Sequence, residues 1–475
     1  MRTPALVLLF APSLLLGQAL DRTQVPTLDK PPALKLPAIE RASLPNGVTL
    51  QVVQQHELPL VQLTLVIAGG TKLDGNQPGL ASFTTRMLTE GAGTRDANAL
   101  QGELAFLGAQ LFANAGTDAF TISLNVPKRT LGEALDLLGD VILRPTFRAA
   151  DVRRQRDLRL ASILQRRDNA NVLASLAFNQ LVFPAGHPYH RPSDGDSATT
   201  AALDSASVRR FYEQTFVPER ARIVIVGDVT VPEVRALLAR RFDGWTRGTA
   251  ARTMAAVTAK PVSNTAIKIF LVDKPGAAQS VIYLGAPGAE RLSPDYPALT
   301  VMNTILGGSF SSRLNANLRE TKGYTYGISS RFAWAPLAGP FSISTSVRTG
   351  VTDSALVEIF REVKMIRDLA VDGTELERAK AYVALGVPQR FETNGQIAAQ
   401  IVDLGMFSLP LTSLGDFISK VNQVTTADVQ RVARQYLPAE SATLVVVGDI
   451  AKIRTGIEAL KLGAITVLDV QQVAR

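Results

Sequence analysis

Two segments of this chain, ending at Gly227 and Gly448, carry the same punctuation 221 positions apart. In the first, Leu203-Asp-Ser-Ala-Ser-Val-Arg-Arg leads to Pro218 and on to Ile223-Val-Ile-Val-Gly-Asp228. In the second, Val424-Thr-Thr-Ala-Asp-Val-Gln-Arg leads to Pro438 and on to Leu444-Val-Val-Val-Gly-Asp449. Each copy reads as a helix, a proline, a buried strand and a Gly-Asp turn, and matching over about 25 residues marks an internal duplication. A chain of 475 residues is in any case too long for one ordinary core. The expected units are 41–248 and 265–475, joined by a linker over 249–264 that is rich in small residues and threonine and contains Pro261. Apolar alternation predicts strands at 48–53, 61–68, 110–113, 119–126 and 222–226. Helical spacing predicts helices from Pro78-Gly79 to Met87 and over 97–107, 131–143, 148–168, 172–182, 203–216 and 231–241. Strand pairs alternating with helices give an α+β fold: two homologous α/β-sandwich domains, each an antiparallel-rich sheet with helices on one side. In the second unit Asp353 should cap a helix running to Leu369, and Thr374 with Glu377 should form a capping box.

The first nineteen residues have another character. Arg2 precedes an apolar run, Ala5 to Leu16, and Gly17-Gln18-Ala19 supplies small residues at the cleavage positions, the signature of a secretory signal peptide over 1–19. Residues 20–40, with Pro26, Pro31, Pro32 and Pro37, read as an extended arm. No segment reaches the ~20 apolar residues of a membrane span, so the expected protein is exported, periplasmic and without a span. The absence of cysteine excludes disulfides, thiolate metal sites and a cysteine nucleophile. The net charge of +8 is dispersed, aromatic residues are 6% and no nucleic-acid motif is present, so no nucleic-acid partner is expected. The densest basic run, 148–167, reads first as a solvated helix face and second as a partner surface. Of the three histidines, His187 and His190 lie among Pro184, Pro188 and Pro192, which forbid a helix that would pair them, and no metal site is expected. No G-x-S-x-G elbow occurs.

The stretch Gly307 to Ser330, GGSFSSRLNANLRETKGYTYGISS, is the richest in chemistry. It predicts a Gly-Gly turn, a short helix opened by Ser309, a stop at Lys322-Gly323, and a strand with Tyr324, Tyr326, Ile328, Phe332 and Trp334 at period two. A cation, Arg319, then sits on the last helical turn and a phenol, Tyr326, on the strand. The residues admit two readings: a solvated helix-end charge with a sheet-packing aromatic, or a polar pair on rigid elements beside a peptide-binding turn.

The segment GLASFTTRMLTEGAGT, Gly79 to Thr94, resembles the first helix of the pitrilysin and mitochondrial-processing-peptidase family of inverted-motif zinc peptidases. In that family the helix carries H-x-x-E-H, and a distal glutamate completes the zinc site. Here Gly79, Leu80, Ala81, Phe83, Met87, Gly93 and Thr94 keep the frame, while Ser82, Thr85 and Arg86 occupy the reactive positions and Ser162 matches the distal glutamate. The resemblance implies a lost zinc site, with the Arg86 charge standing where the metal would. Gly307-Gly308-Ser309-Phe310, Arg319 and Tyr326 resemble the glycine-rich turn and Arg/Tyr pair of the family's complementing half. It further implies half of a peptidase clamshell: a non-catalytic, substrate-binding subunit of an exported heterodimeric zinc metallopeptidase, inactive on its own. Its partner would be a homologous H-x-x-E-H-bearing subunit holding the zinc, with no cofactor in this chain. Peptides or unfolded segments would be the substrate, and Arg319 and Tyr326 would act in trans. The alternative is a catalytically inert peptide-binding or scaffold protein of the same fold.

Overall fold

The repeated Gly-Asp turn ends a strand in each half, and both strands lie in the interior of a six-stranded sheet. The computed structural model describes residues 35–246, 248, 257 and 259–474. The expected signal peptide, residues 20–34 of the expected arm and most of the expected linker lie outside the described residues. The first sheet comprises β1 (Glu40–Ser43), β2 (Thr49–Gln54), β3 (Leu60–Ala68), β6 (Gln110–Ala115), β7 (Ala119–Pro127) and β8 (Ala221–Gly227), with a small separate pair, β4 (Gly91–Ala92) and β5 (Arg95–Asp96), beside it. Its order is β1-β2-β8-β3-β7-β6. The second sheet comprises β9 (Lys268–Asp273), β10 (Gln279–Pro287), β11 (Thr325–Phe332), β12 (Pro340–Arg348), β13 (Thr443–Gly448) and β14 (Ala464–Leu468), in the order β11-β12-β10-β13-β9-β14.

The duplication is visible strand by strand. Reading β2-β8-β3-β7-β6 against β9-β13-β10-β12-β11, each strand has its counterpart in chain order. In both, the first pair is parallel and the rest antiparallel. The sheets differ at the added edge, antiparallel β1 in one and parallel β14 in the other. Both β8 and β13 are buried on two faces, which is why their sequences are unbroken Val/Ile/Leu runs and not alternating ones. Gly227 at the end of β8 has φ +147°, and a Cβ there would lie 2.2 Å from the Leu60 carbonyl oxygen, so only glycine fits. The helices before these strands open with side-chain caps at Asp204 and Thr425, each in a capping box.

Each half's own helices cover one face of its sheet around a large apolar core. The opposite face is covered by a helix from the other half. The helix Ala170–Val182 of the first half sets Leu173, Ala177 and Phe178 against Val281, Val445 and Val447 of the second sheet. The helix Asn394–Met406 of the second half sets Ile397, Ala398 and Ile401 against Val53, Val224 and Val226 of the first. This exchange ties both sheets into one compact unit, Leu36–Arg475.

Two expected caps are displaced. The helix Thr352–Asp368 begins after Val351, so Asp353 stands inside the first turn, where a carboxylate faces the positive helix end without capping it. The helix Gly373–Leu385 is capped by Asp372, whose carboxylate accepts from the Thr374 and Glu375 amides at 2.8 and 3.3 Å, and not by Thr374. No helix among the described residues is long and apolar enough to cross a membrane.

Candidate functional site

In the second half the chain leaves the helix Tyr296–Asn303 through a π-helical turn, Thr304–Gly308. The two glycines are dictated by close approach: a Cβ on Gly307 would lie 2.6 Å from the Ser330 amide nitrogen of β11, and one on Gly308 2.6 Å from Asn303 Nδ2. Ser309 does not open the next helix. Its hydroxyl donates back to the Thr304 carbonyl at 3.1 Å, and helical winding resumes only at Arg313, continuing in π form over Asn315–Thr321. The predicted stop holds, with Gly323 at φ +61° and the Tyr324 amide donating to the Leu318 carbonyl at 2.9 Å.

The period-two face breaks at one place. Ile328, Ser330 and Phe332 point inward, but the pairing of β11 with β12 shifts between Thr325↔Val347 and Ile328↔Thr345, leaving one extra residue in β11. This bulge turns Tyr326 outward, where it is 93% exposed. Asn315 holds the bulge. It is buried, its Nδ2 donates to the Ile328 carbonyl at 2.8 Å, and its Oδ1 accepts from the Ile328 amide at 3.2 Å. The same Nδ2 reaches the Ser309 carbonyl at 3.2 Å, so one side chain joins the glycine turn to the strand.

Gly307, Gly308, Ser309, Phe310 and Tyr326 thereby line one cleft of about 390 Å³, together with Asn315 and, from the helix Gly373–Leu385, Tyr382. Arg319 stands behind this lining. Its guanidinium lies 4.1 Å from the Phe310 ring centroid, and its Nη1 is 3.1 Å from Glu320 Oε1. That contact lacks hydrogen-bond geometry, and Nη1 is buried without a hydrogen-bond partner. Asn315 and Tyr382 were missed by sequence reasoning. Only the polarity of Asn315 within an otherwise apolar helical stripe could have singled it out.

In the first half, the helix Leu80–Met87 is capped from outside by Asp74, which accepts from the Gly79 and Ala81 amides at 2.9 and 2.7 Å. Thr85 is buried, and its hydroxyl turns back to the Ala81 carbonyl at 2.8 Å. Ser162 is exposed on the helix Ala149–Gln165. Arg86 does not occupy the cation's place: its side chain is 60% exposed and lies 3.4 Å from Glu90 Oε1. The cation between the two helices is Arg159. Its Nη1 donates to Ser82 Oγ at 3.0 Å and to the Gly79 carbonyl at 2.9 Å, and the guanidinium lies 5.0 Å from the Phe83 ring centroid. Burial pushes the Arg159 guanidinium down to about 10, with Asp194 and Asp74 opposing the shift. Hydroxyls satisfied within their own helix and a fixed guanidinium cannot ligate zinc, so these residues do not fit the metal. Nor are the histidines gathered elsewhere. His187 is buried and stacked on Phe183 at 4.6 Å, with burial and His190 lowering its pKa; His56 pairs with Asp228 at 2.6 Å. No group of three or more His, Cys, Asp or Glu side chains able to hold a metal ion occurs among the described residues.

Comparison with known proteins places this geometry in a family. Residues 51–181, which include the helix Leu80–Met87, match the insulinase family (peptidase family M16), and residues 202–383, which include the glycine-turn cleft, match the peptidase M16 inactive domain. An uncharacterized zinc protease of Mycobacterium leprae is 25% identical over 402 residues, covering 84% of this chain and 89% of that protein. A non-peptidase homolog of Helicobacter pylori is 23% identical over 400 residues, covering 83% and 90%. Among solved structures, a peptidase M16 inactive domain from Pseudomonas fluorescens superposes with a TM-score of 0.79 at 28% identity, covering 86% of this chain and 98% of that one. A protease from Helicobacter pylori shares the fold with a TM-score of 0.80 at 18% identity, covering 87% and 100%. The match to an inactive domain fits a chain of the non-catalytic kind. On the match of both halves, the chain belongs to the M16, or insulinase, peptidase family.

Proposed function

We propose that this chain is the non-catalytic, substrate-binding subunit of an exported two-chain zinc metallopeptidase acting on peptides or unfolded segments. One observation carries the reading: a bulge in β11, fixed by buried Asn315, holds the Tyr326 phenol 93% exposed on the rim of the glycine-turn cleft. A fully exposed aromatic gains no packing energy, so its placement by a buried polar staple is a positioning device. In the assembled enzyme the phenol donates a hydrogen bond to the oxyanion that develops on the scissile carbonyl. Arg319 supplies positive charge behind Phe310, and its guanidinium would exchange Glu320 for a substrate carbonyl or carboxylate. The H-x-x-E-H-bearing partner, and its zinc, belong to the other chain of this complex. Domains 41–248 and 265–475 together form this chain's half of the chamber.

The test is affinity capture of the tagged chain from its own periplasm, with the eluate assayed for zinc and for hydrolysis of an unfolded peptide. A co-eluting homologue with zinc and activity is expected. A chain that elutes alone and inert overturns the proposal and leaves the scaffold reading, for which the Arg319 side chain, already engaged with Phe310 and Glu320, would be the supporting feature.

A further inference from the structure

A second cleft, of about 530 Å³, opens where the helix Asn394–Met406 ends against the first sheet, and it shares no lining residue with the glycine-turn cleft. Its polar lining is Arg41, Ser43, Thr49, Gln51, Arg222 and Ser408. Strand register explains why they meet. Ser43 on β1, Thr49 on β2 and Arg222 on β8 are direct cross-strand neighbours, and Arg41 beside Gln51 forms the adjacent row. Neighbours in register point to the same face. Two cations and two hydroxyls are therefore presented together by three paired strands, a rigid platform.

Arg222 is only partly used by the fold. Its Nη1 and Nη2 donate to the Gly405 and Val402 carbonyls at 3.3 and 3.1 Å, closing the last turn of the helix from the other half. The approach is tight: a Cβ on Gly405 would lie 2.9 Å from Arg222 Nη2. The third arm, Nε, is buried and has no hydrogen-bond partner. Burial pushes this guanidinium below its ordinary pKa, and no carboxylate offsets the shift. Helix capping accounts for two of the arms. It does not account for the orphaned Nε, for a second arginine in the same lining, or for the hydroxyl row between them. Gln51 Oε1 is likewise buried and unpartnered, and a rotated amide would offer its NH2 to the same space.

We propose that this cleft binds an oxyanion, a carboxylate or a phosphate, between Arg222 and Arg41, with the Ser43 and Thr49 hydroxyls donating to it. The Arg222 Nε supplies the buried donor, Arg41 the solvent-side charge, and the remaining volume takes the body of the ligand. The proposal does not rest on the function of the glycine-turn cleft.

The full chain is titrated calorimetrically with inorganic phosphate and, separately, with a short peptide bearing either a free or an amidated C-terminus. Binding of at least one probe is expected, weakening about tenfold or more in Arg41→Ala and on raising salt through ~0.5 M, because an ion contact is lost or screened. Loss of peptide binding on amidation assigns the site to a terminal carboxylate; phosphate binding alone assigns it to a phosphorylated ligand. Arg222→Gln would also uncap the docked helix, so Arg41→Ala and Thr49→Val, both exposed residues, carry the test, with unchanged melting temperature as the control. No binding by either probe, or binding indifferent to both substitutions, overturns the proposal.

Discussion

Tyr326 is exposed because β11 has one residue more than its partner between Thr325 and Ile328, and a bulge reverses the facing of the side chain at which it occurs. Tyr326→Phe should therefore leave unfolding free energy within about 0.5 kcal/mol of wild type, as exposed substitutions do. In the captured complex, the same change should slow peptide hydrolysis by on the order of 100-fold, the usual loss of one oxyanion donor; a wild-type rate would remove Tyr326 from the chemistry. Arg159 answers to a different demand. It ties the helix Leu80–Met87 to the helix Ala149–Gln165 through Gly79 and Ser82, so Arg159→Ala removes two inter-helix hydrogen bonds and the cation over Phe83. A destabilisation of about 1–3 kcal/mol in urea unfolding is expected, and an unshifted midpoint would show that the guanidinium has no structural task.

At the scale of elements, the glycine turn, the π-helical segment and β11 are one assembly because Asn315, at the start of the π-helical segment, bonds to Ser309 after the turn and to Ile328 of β11. Asn315→Ala removes both partners of the Ile328 backbone, which is buried and loses the full desolvation cost of each group, about 1–3 kcal/mol. Amide exchange over 326–330 should accelerate, and complex activity should fall although Asn315 itself donates nothing to substrate. Unchanged exchange would mean that the bulge is held by β12 alone. The helix Gly373–Leu385, which contributes Tyr382 to the cleft, depends on its cap: Asp372→Ala should cost about 1 kcal/mol and Thr374→Ala much less. The reverse order would return the cap to Thr374.

At the scale of the molecule, the decisive feature is the reciprocal exchange of helices between halves. Each sheet has a second apolar face, Val53, Val224 and Val226 in one case and Val281, Val445 and Val447 in the other, on which a helix of the other half packs. The two halves should unfold together. Ile401→Asp buries an unpaired charge in one of these contacts and should cost on the order of 4 kcal/mol while keeping a single transition for both sheets. Two separated calorimetric transitions, one per half, would contradict that coupling.

The sequence by itself determined the repeat, and with it most of the strands and helices, because period-two and period-3.6 patterns, capping residues and the Gly-Asp turns act within a few residues of themselves. It also placed Gly307, Gly308, Ser309, Phe310 and Tyr326 in one stretch, while Ser82, Thr85 and Ser162 were marked as poor metal ligands only through the family resemblance. What it could not determine were relations between distant residues. The strand β1 is too short to carry a pattern; it exists because β2 offers it an edge. The bulge that turns Tyr326 outward needs Asn315 from the preceding segment. The charge between the two helices is set by which arginine the packing buries, Arg159 and not Arg86. The Arg222 platform needs three strands and a helix end drawn from both halves. Hydrogen bonds and buried charge depend on who is nearby in space, and only the tertiary structure decides that.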